Sequence, residues 1–275
     1  MLAHEKRALA AACDWLDGLS QATLSLEEQV DRLFGIWACT SGLDYSRRQV
    51  ARLRKQARPL AQFEWFRYGS DPLFALAVYR AMISIGLQHA SLSDLNAGYC
   101  SILRDDETAA SSLGMIVDLL HANGGDPCRL QRSLCLPDLP AFVTGGRTEV
   151  IKVSRDIMMA SSCGTREICA AELAPALPGI AFSYARDWDI GCTCAVLRAC
   201  AYLGCGREPA ARWAIDWLLD QQRSDGRFDV AIPPSDSKTR DSSSLDATID
   251  AVWAIAELNH PGFLLKSLDA RLPTR

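Results

Sequence analysis

Histidine is scarce, and the common signatures of catalysis are missing. Only His4, His89, His121 and His260 occur in 275 residues. No C-x-x-C pair and no H-x-x-x-H spacing is present, which removes the usual zinc-site patterns. There is no Ser-His-Asp set, no G-x-S-x-G, no P-loop and no G-x-G-x-x-G, so hydrolase-elbow, nucleotide and dinucleotide readings have no support. No metal and no cofactor is expected. Basic excess is also lacking: the net charge is −4, which argues against nucleic acid as the main partner. No stretch is long and uncharged enough to cross a bilayer, and the N-terminal MLAHEKRALAAACDWLDGL carries acid among short apolar runs, unlike a signal peptide.

Cysteine, by contrast, is plentiful. Eleven cysteines form an odd, scattered set without a disulfide framework. Cys100, Cys169, Cys194 and Cys200 lie inside apolar helical runs, where Cys behaves as a small hydrophobe. Cys192 and Cys194 are two apart on a predicted helix and face different ways. This usage points to a reducing, cytoplasmic setting.

The strongest organising signal is a ladder of glycines at Gly42, Gly86, Gly124, Gly164 and Gly204, with Asn259 in the same role at the end. The intervals are 44, 38, 40, 40 and 55 residues. Each rung follows an apolar run and precedes a more polar one. Gly and Asn accept a left-handed position past a helix end cheaply, so each rung reads as a helix C-terminus and turn. A period near forty residues with two helices is a helical-hairpin repeat, and about six hairpins fit the chain.

The two helices of a hairpin differ. LFALAVYRAMISI (73–85), CAVLRACAYL (194–203) and IDAVWAIAEL (249–258) are apolar nearly all round and must be buried. EPAARWAIDWLLDQQ (208–222) is amphipathic, with Ala210, Trp213, Ala214, Trp217 and Leu218 on one dry face, and Pro209 near its start where the missing N–H costs nothing. Buried helices wrapped by amphipathic ones predict an all-α fold, one repeat domain over 1–275, closed into an α/α-toroid-like ring. Inner helices are expected near 73–85, 109–121, 149–161, 192–203 and 247–258.

In such a ring the outer-to-inner connections share one rim, and here they carry acid: Asp71, Asp105, Asp106, Glu107, Glu149, Asp187, Asp189, Asp246 and Asp250. Capping explains each one singly. As a set at one mouth they would raise one another's pKa and attract an amine. Arg67 and Tyr68 precede Asp71, Arg147 precedes Glu149, Arg186 precedes Asp187, and Glu64 and Trp65 could line the same mouth. Two connections over it are long, 135–147 and the Ser-, Asp- and Pro-rich 222–248.

The stretch AIDWLLDQQRSDGRFD resembles the W-L-x-x-Q-x-x-D-G-x-F/W signature of terpene cyclases and protein prenyltransferases, which are α/α toroids. Upstream, RDWDIGCTCAVLRACAYLG is similar to the D-x-D-D-T-A and following L-R of class II terpene cyclases. The resemblance, over about residues 183–230, implies that Asp187 and Asp189 hold the first two acidic positions and that Asp189 is the proton donor. Ile190 stands at the third acidic position. The prenyltransferase branch implies an Asp, Cys and His zinc set, and no histidine lies between His121 and His260.

The Ala-, Leu- and Arg-rich style, the degenerate hairpins and the D-G-R-F turn also look like α/α-repeat proteins of actinobacterial natural-product pathways, among them two-component proteins that form aziridines by sulfate elimination. That resemblance implies a cofactor-free enzyme of antibiotic biosynthesis in which carboxylates hold or deprotonate an amine, arginine neutralises the departing anion, and a second subunit is required. The helix SRRQVARLRKQAR (46–58) offers a basic face for an acidic protein partner. Trp37, Trp65, Trp188 and Trp253 would instead suit an aromatic cavity that stabilises a carbocation in an isoprenoid. Trp213 and Trp217 are expected in the core, and His89 and His121 on the rim away from the acids. A non-catalytic scaffold subunit is the third alternative.

Overall fold

The computed structural model describes residues 2–20, 23–40, 47–57, 145–165, 172–229 and 237–263, with a few single residues besides. Eight helices are described: α1 (Ala3–Gly18), α2 (Leu26–Thr40), α3 (Arg47–Ala57), α4 (Gly146–Ala160), α5 (Leu173–Arg186), α6 (Ile190–Tyr202), α7 (Pro209–Asp220) and α8 (Ser237–Asn259). Among the described residues there is no strand, only a single bridge between Gln222 and Phe228. The all-α expectation holds. Expected helices 73–85 and 109–121, the turns at Gly42, Gly86 and Gly124, and His89 and His121 lie outside the described residues.

The chain divides into two compact units, Met1–Leu43 with Leu136–Pro261, and Asp44–Cys135 with Gly262–Arg275. In the second unit, α3 buries Leu53 and Ala57 and exposes Arg52, Arg54 and Lys55.

In the first unit α6 packs against α4, α5, α7 and α8, while α8 packs against α2 and α1. Residue pairings show direction. Along α5 and α7, Phe182 meets Trp213 and Trp188, in the turn just after α5, meets Trp217. Along α1 and α7, Glu5 pairs with Arg212, and Ala8 accepts from Gln222 just beyond the helix. Along α2 and α8, Glu28 faces Asp246 and Phe34 meets Trp253. Where the order can be read across these pairs, both numbers rise together, so neighbouring hairpins lie side by side in one orientation. The hairpin α1–α2 sits next to α7–α8.

Burial follows the inner and outer assignment for α2, α6 and α7, but α4, expected as a buried inner helix over 149–161, keeps Ile151, Lys152 and Arg155 exposed. In α6 all residues except Gly191, Arg198 and Ala201 are buried, and α2 is buried from Arg32 to Cys39. The outer helix α7 runs from Pro209 at its first turn, as expected, but its dry face is Ala211, Ala214, Ile215 and Leu218. Trp213 is 43% exposed, so the expectation that it is core fails. The small Ala211 and Ala214 let α7 approach α6, and the two indoles are pushed sideways onto Phe182 and Trp188.

Helix ends are set by specific bonds. Ser25 and Glu28 form a reciprocal capping box at α2, the Ser25 N–H donating to Glu28 Oε2 at 2.8 Å and the Glu28 N–H to Ser25 Oγ at 3.1 Å. The buried Arg32 donates to the last carbonyls of α1, Leu16 and Asp17. Gly204 (φ +73°) is the left-handed residue after α6, as the ladder predicts, with open space where a Cβ would go. Gly204→Ala should therefore cost only its backbone strain, about 1 kcal/mol in a urea melt. At α4 the reversal comes earlier than Gly164: Ser162 (φ +48°) and Cys163 (φ +54°) already take left-handed backbone. At the C-terminal rung, Asn259 is the last helical residue and Gly262 (φ +76°) takes the left-handed position instead.

The 222–248 segment is corrected most. Its helix starts at Ser237, so the expected loop is helical from there on and the inner helix is ten residues longer at its front than 247–258. Polar residues fill its buried positions: the Thr248 hydroxyl donates to Ser244 O at 2.6 Å, the Ser244 hydroxyl to the buried Asp229 at 3.1 Å, and the Phe228 N–H to Thr248 Oγ1 at 2.9 Å.

Glu5 ties α1 to α7. Burial opposes its charge, but the Leu2 N–H and the Arg212 guanidinium at 2.9 Å outweigh that and hold its carboxyl below the ordinary range. A lowered folded-state pKa means stability that is present above about pH 4.3 and lost as the pH falls through the lower folded value. Glu5→Gln should flatten that acid limb of a melting-temperature profile.

Candidate functional site

The expected acidic mouth is only partly assembled. Asp189 is the N-cap of α6: its Oδ1 accepts from the Cys192 N–H at 3.0 Å, its backbone carbonyl accepts from the Thr193 hydroxyl at 2.6 Å, and its Oδ2 pairs with Arg147 Nε at 3.2 Å. The Cys192 thiol behind it is pushed up to about 12, by burial and then by Asp189. Tyr184 is raised as well, by burial and then by Cys192 and Asp189.

Asp187 is exposed at the C-terminal end of α5, and Arg186 lies 5.9 Å from the Phe182 ring. Trp188, at φ +61° and 56% exposed, turns outward onto Trp217. Glu149 pairs with Lys152 on the next turn of α4. The structure thus joins Arg147 to Asp189 and sends Arg186, Trp188 and Glu149 elsewhere. Glu64, Trp65, Arg67, Tyr68, Asp71, Asp105, Asp106 and Glu107 lie outside the described residues.

Asp246 and Asp250 do not belong to the same rim. The early start of α8 puts Asp246 nine residues into the helix, about 14 Å along its axis at 1.5 Å per residue. Asp250 joins a polar stripe between α6 and α8 instead, and the exposed Asp246 lies one turn before it, facing Glu28 of α2. On α6, Cys194, Arg198 and Tyr202 are spaced by four; on α8, Asp246, Asp250, Trp253 and Glu257 are spaced by four, three and four.

Arg198 is the centre of the stripe. Its side chain is 14% exposed; Nη1 donates to Asp250 Oδ1 at 3.0 Å and to the Asp250 carbonyl at 3.4 Å, and Cζ lies 4.4 Å from the Trp253 ring centroid. Burial opposes the guanidinium charge, yet Asp250 more than offsets it. Trp253 Nε1 donates to Glu257 Oε1 at 3.4 Å, and Glu257 is fully buried. Beside it lies the buried Tyr202 hydroxyl, which burial, then the Glu257 carboxylate, push well above the usual phenol range.

Asp246 is raised by burial, then by Asp250 and by Glu28 from α2. A raised folded-state carboxyl binds its proton more tightly than in the unfolded chain, so its contribution is favourable below about pH 4 and is lost as the pH rises through the folded value. Asp246→Asn should raise the melting temperature at pH 7 and leave it nearly unchanged at pH 4.

Arg198, Tyr202 and Glu257 were not among the expected site residues. Their signal was a lone charge in each apolar run, CAVLRACAYL and AVWAIAEL. Among the described residues, no three His, Cys, Asp or Glu side chains converge as a metal site, and no helix is long and apolar enough to cross a membrane. No protein family, curated protein or solved structure matches this chain.

Proposed function

We propose that the chain is an α/α-hairpin ring that acts on a small amine-bearing molecule without metal or cofactor, at the stripe between α6 and α8. The observation that carries this is Arg198 held between Asp250 and the Trp253 face, with the buried Tyr202 and the buried Glu257 one turn further along the two helices. Support for a ring comes from the parallel hairpins and from α1–α2 packing beside α7–α8.

The stripe suits an intramolecular displacement such as aziridine formation with loss of sulfate. A carboxylate, Asp246 or Asp250, takes a proton from the ammonium; the freed nitrogen attacks the neighbouring carbon; the carbon–oxygen bond breaks; and sulfate departs towards Arg198. Asp189 and Arg147 fix the start of α6 and so position the stripe. Turnover of amino-alkyl sulfate esters in metal-free buffer, followed by sulfate release, tests the reading. Asp250→Asn should abolish release while the melting temperature moves by only a few degrees. Unaltered turnover in that variant would overturn it.

The partner belongs to the same proposal. The basic exposed face of α3 fits an acidic subunit. Charge reversal at Arg48, Arg52 and Lys55 should weaken assembly, with the largest effect at low salt. Salt-independent assembly by the variant would remove α3 from the interface.

A further inference from the structure

The end of α6 carries two thiols that the proposed chemistry leaves unused. The helix closes with the Cys205 N–H donating to the Cys200 carbonyl at 2.9 Å and the Gly204 N–H to the Ala201 carbonyl at 3.3 Å, around the left-handed Gly204. This is a Schellman closure, in which the third-last helical residue and the second residue beyond the cap bring their side chains together. Both are cysteine here. Cys200 is buried and Cys205 is partly exposed. The neighbouring Cys200 thiol, ahead of the opposing effect of burial, holds the Cys205 thiol below its ordinary range. The Cys205 thiol, then burial, raises Cys200. One thiol is thus poised to ionise and reachable, and the other is sheltered beside it.

We propose that Cys200 and Cys205 form a reversible disulfide, made by exchange with a soluble disulfide such as oxidised glutathione. The Cys205 thiolate attacks one glutathione sulfur, the glutathione disulfide bond breaks, and the first glutathione leaves as a thiolate that takes up a proton. Cys200 gives up its proton, attacks the Cys205 sulfur and expels the second glutathione. The protein dithiol is oxidised by two electrons, and glutathione disulfide is reduced to two thiols. The bond fastens the turn directly after Tyr202, four residues from Arg198, so it links redox state to the helix that carries the stripe. Cys13 and Cys39 form a second thiol contact, but Cys39 is fully buried and its thiol is raised by burial and then by Cys13, which makes it the internal control.

The test uses the full chain, native, incubated with oxidised glutathione, alkylated after unfolding and digested with trypsin. Arg198 and Arg207 flank both cysteines, so they fall in one peptide, residues 199–207. That peptide should become unalkylated and lighter by two hydrogens, and dithiothreitol should reverse the change. Cys200→Ser should accumulate a glutathione adduct on Cys205, and Cys205→Ser should slow modification of Cys200 at least tenfold. Circular dichroism checks that both variants fold; should either fail, the wild-type peptide alone decides. A wild-type peptide alkylated at both cysteines, or one that stops at a stable glutathione adduct, would overturn the proposal.

Discussion

Gly226→Ala should unfold the contact between α1 and α7 and lower stability by about 4 kcal/mol, a size reserved for backbone clashes and buried defects. A Cβ at Gly226 would lie 2.1 Å from the Ala11 carbonyl oxygen, and the backbone there has φ +98°. No side-chain rotation relieves a clash with backbone, so α1 itself must move. The same turn is pinned by Gln222, whose amide donates to the Ala8 and Gly226 carbonyls, both at 2.8 Å, and by the buried Phe228 and Asp229. At roughly 2–4 °C per kcal/mol, the melting temperature should fall by at least about 8 °C. A fall of 2 °C or less, about that expected for Gly204→Ala, would mean that the D-G-R-F turn does not bind the N-terminal hairpin to the last one.

Arg198→Met should cost about 2 kcal/mol and abolish ligand binding, whereas Asp250→Asn should cost less than about 1 kcal/mol. The asymmetry follows from exposure. Asp250 keeps 36% of its side chain in water, so losing its charge leaves Arg198 still seated on Trp253. Removing Arg198 takes away both the cation beside Asp250 and the charge seated on the Trp253 face. Met retains most of the aliphatic volume, which confines the change to charge. A double-mutant cycle in urea should give a coupling of about 1 kcal/mol between Arg198 and Asp250. Equal losses from the two single changes would contradict this geometry.

The helical class was legible because α6 is apolar nearly all round, α7 keeps an apolar periodicity, and Gly204 marks the end of α6 as glycine chemistry dictates. The front of α8 was not. Its buried positions carry Ser244 and Thr248, whose hydroxyls are satisfied by Asp229 and by the helix itself, so tertiary hydrogen bonds stand where an apolar stripe would have been read. Gly164 is left-handed as expected (φ +77°), but Ser162 and Cys163 already take that backbone before it. Asp250 was expected at a rim and Trp253 in an aromatic cavity. The structure places Asp250 deeper, because the helix that carries it starts ten residues early. Asp189 was found for its acidity, and capping with an Arg147 pair accounts for the contacts it makes.

The most direct measurement is the thermal shift produced by small amino-alkyl sulfate esters on the wild-type chain and on the Arg198→Met and Glu257→Gln variants, in metal-free buffer at pH 7. Ligand at 100 times its Kd should add about 2.7 kcal/mol to a folded protein that binds it. The account predicts a clear, saturable rise in melting temperature for the wild type and none for either variant. An equal rise in all three, or none in the wild type with or without the acidic partner, would show that the stripe between α6 and α8 is part of the core and binds nothing.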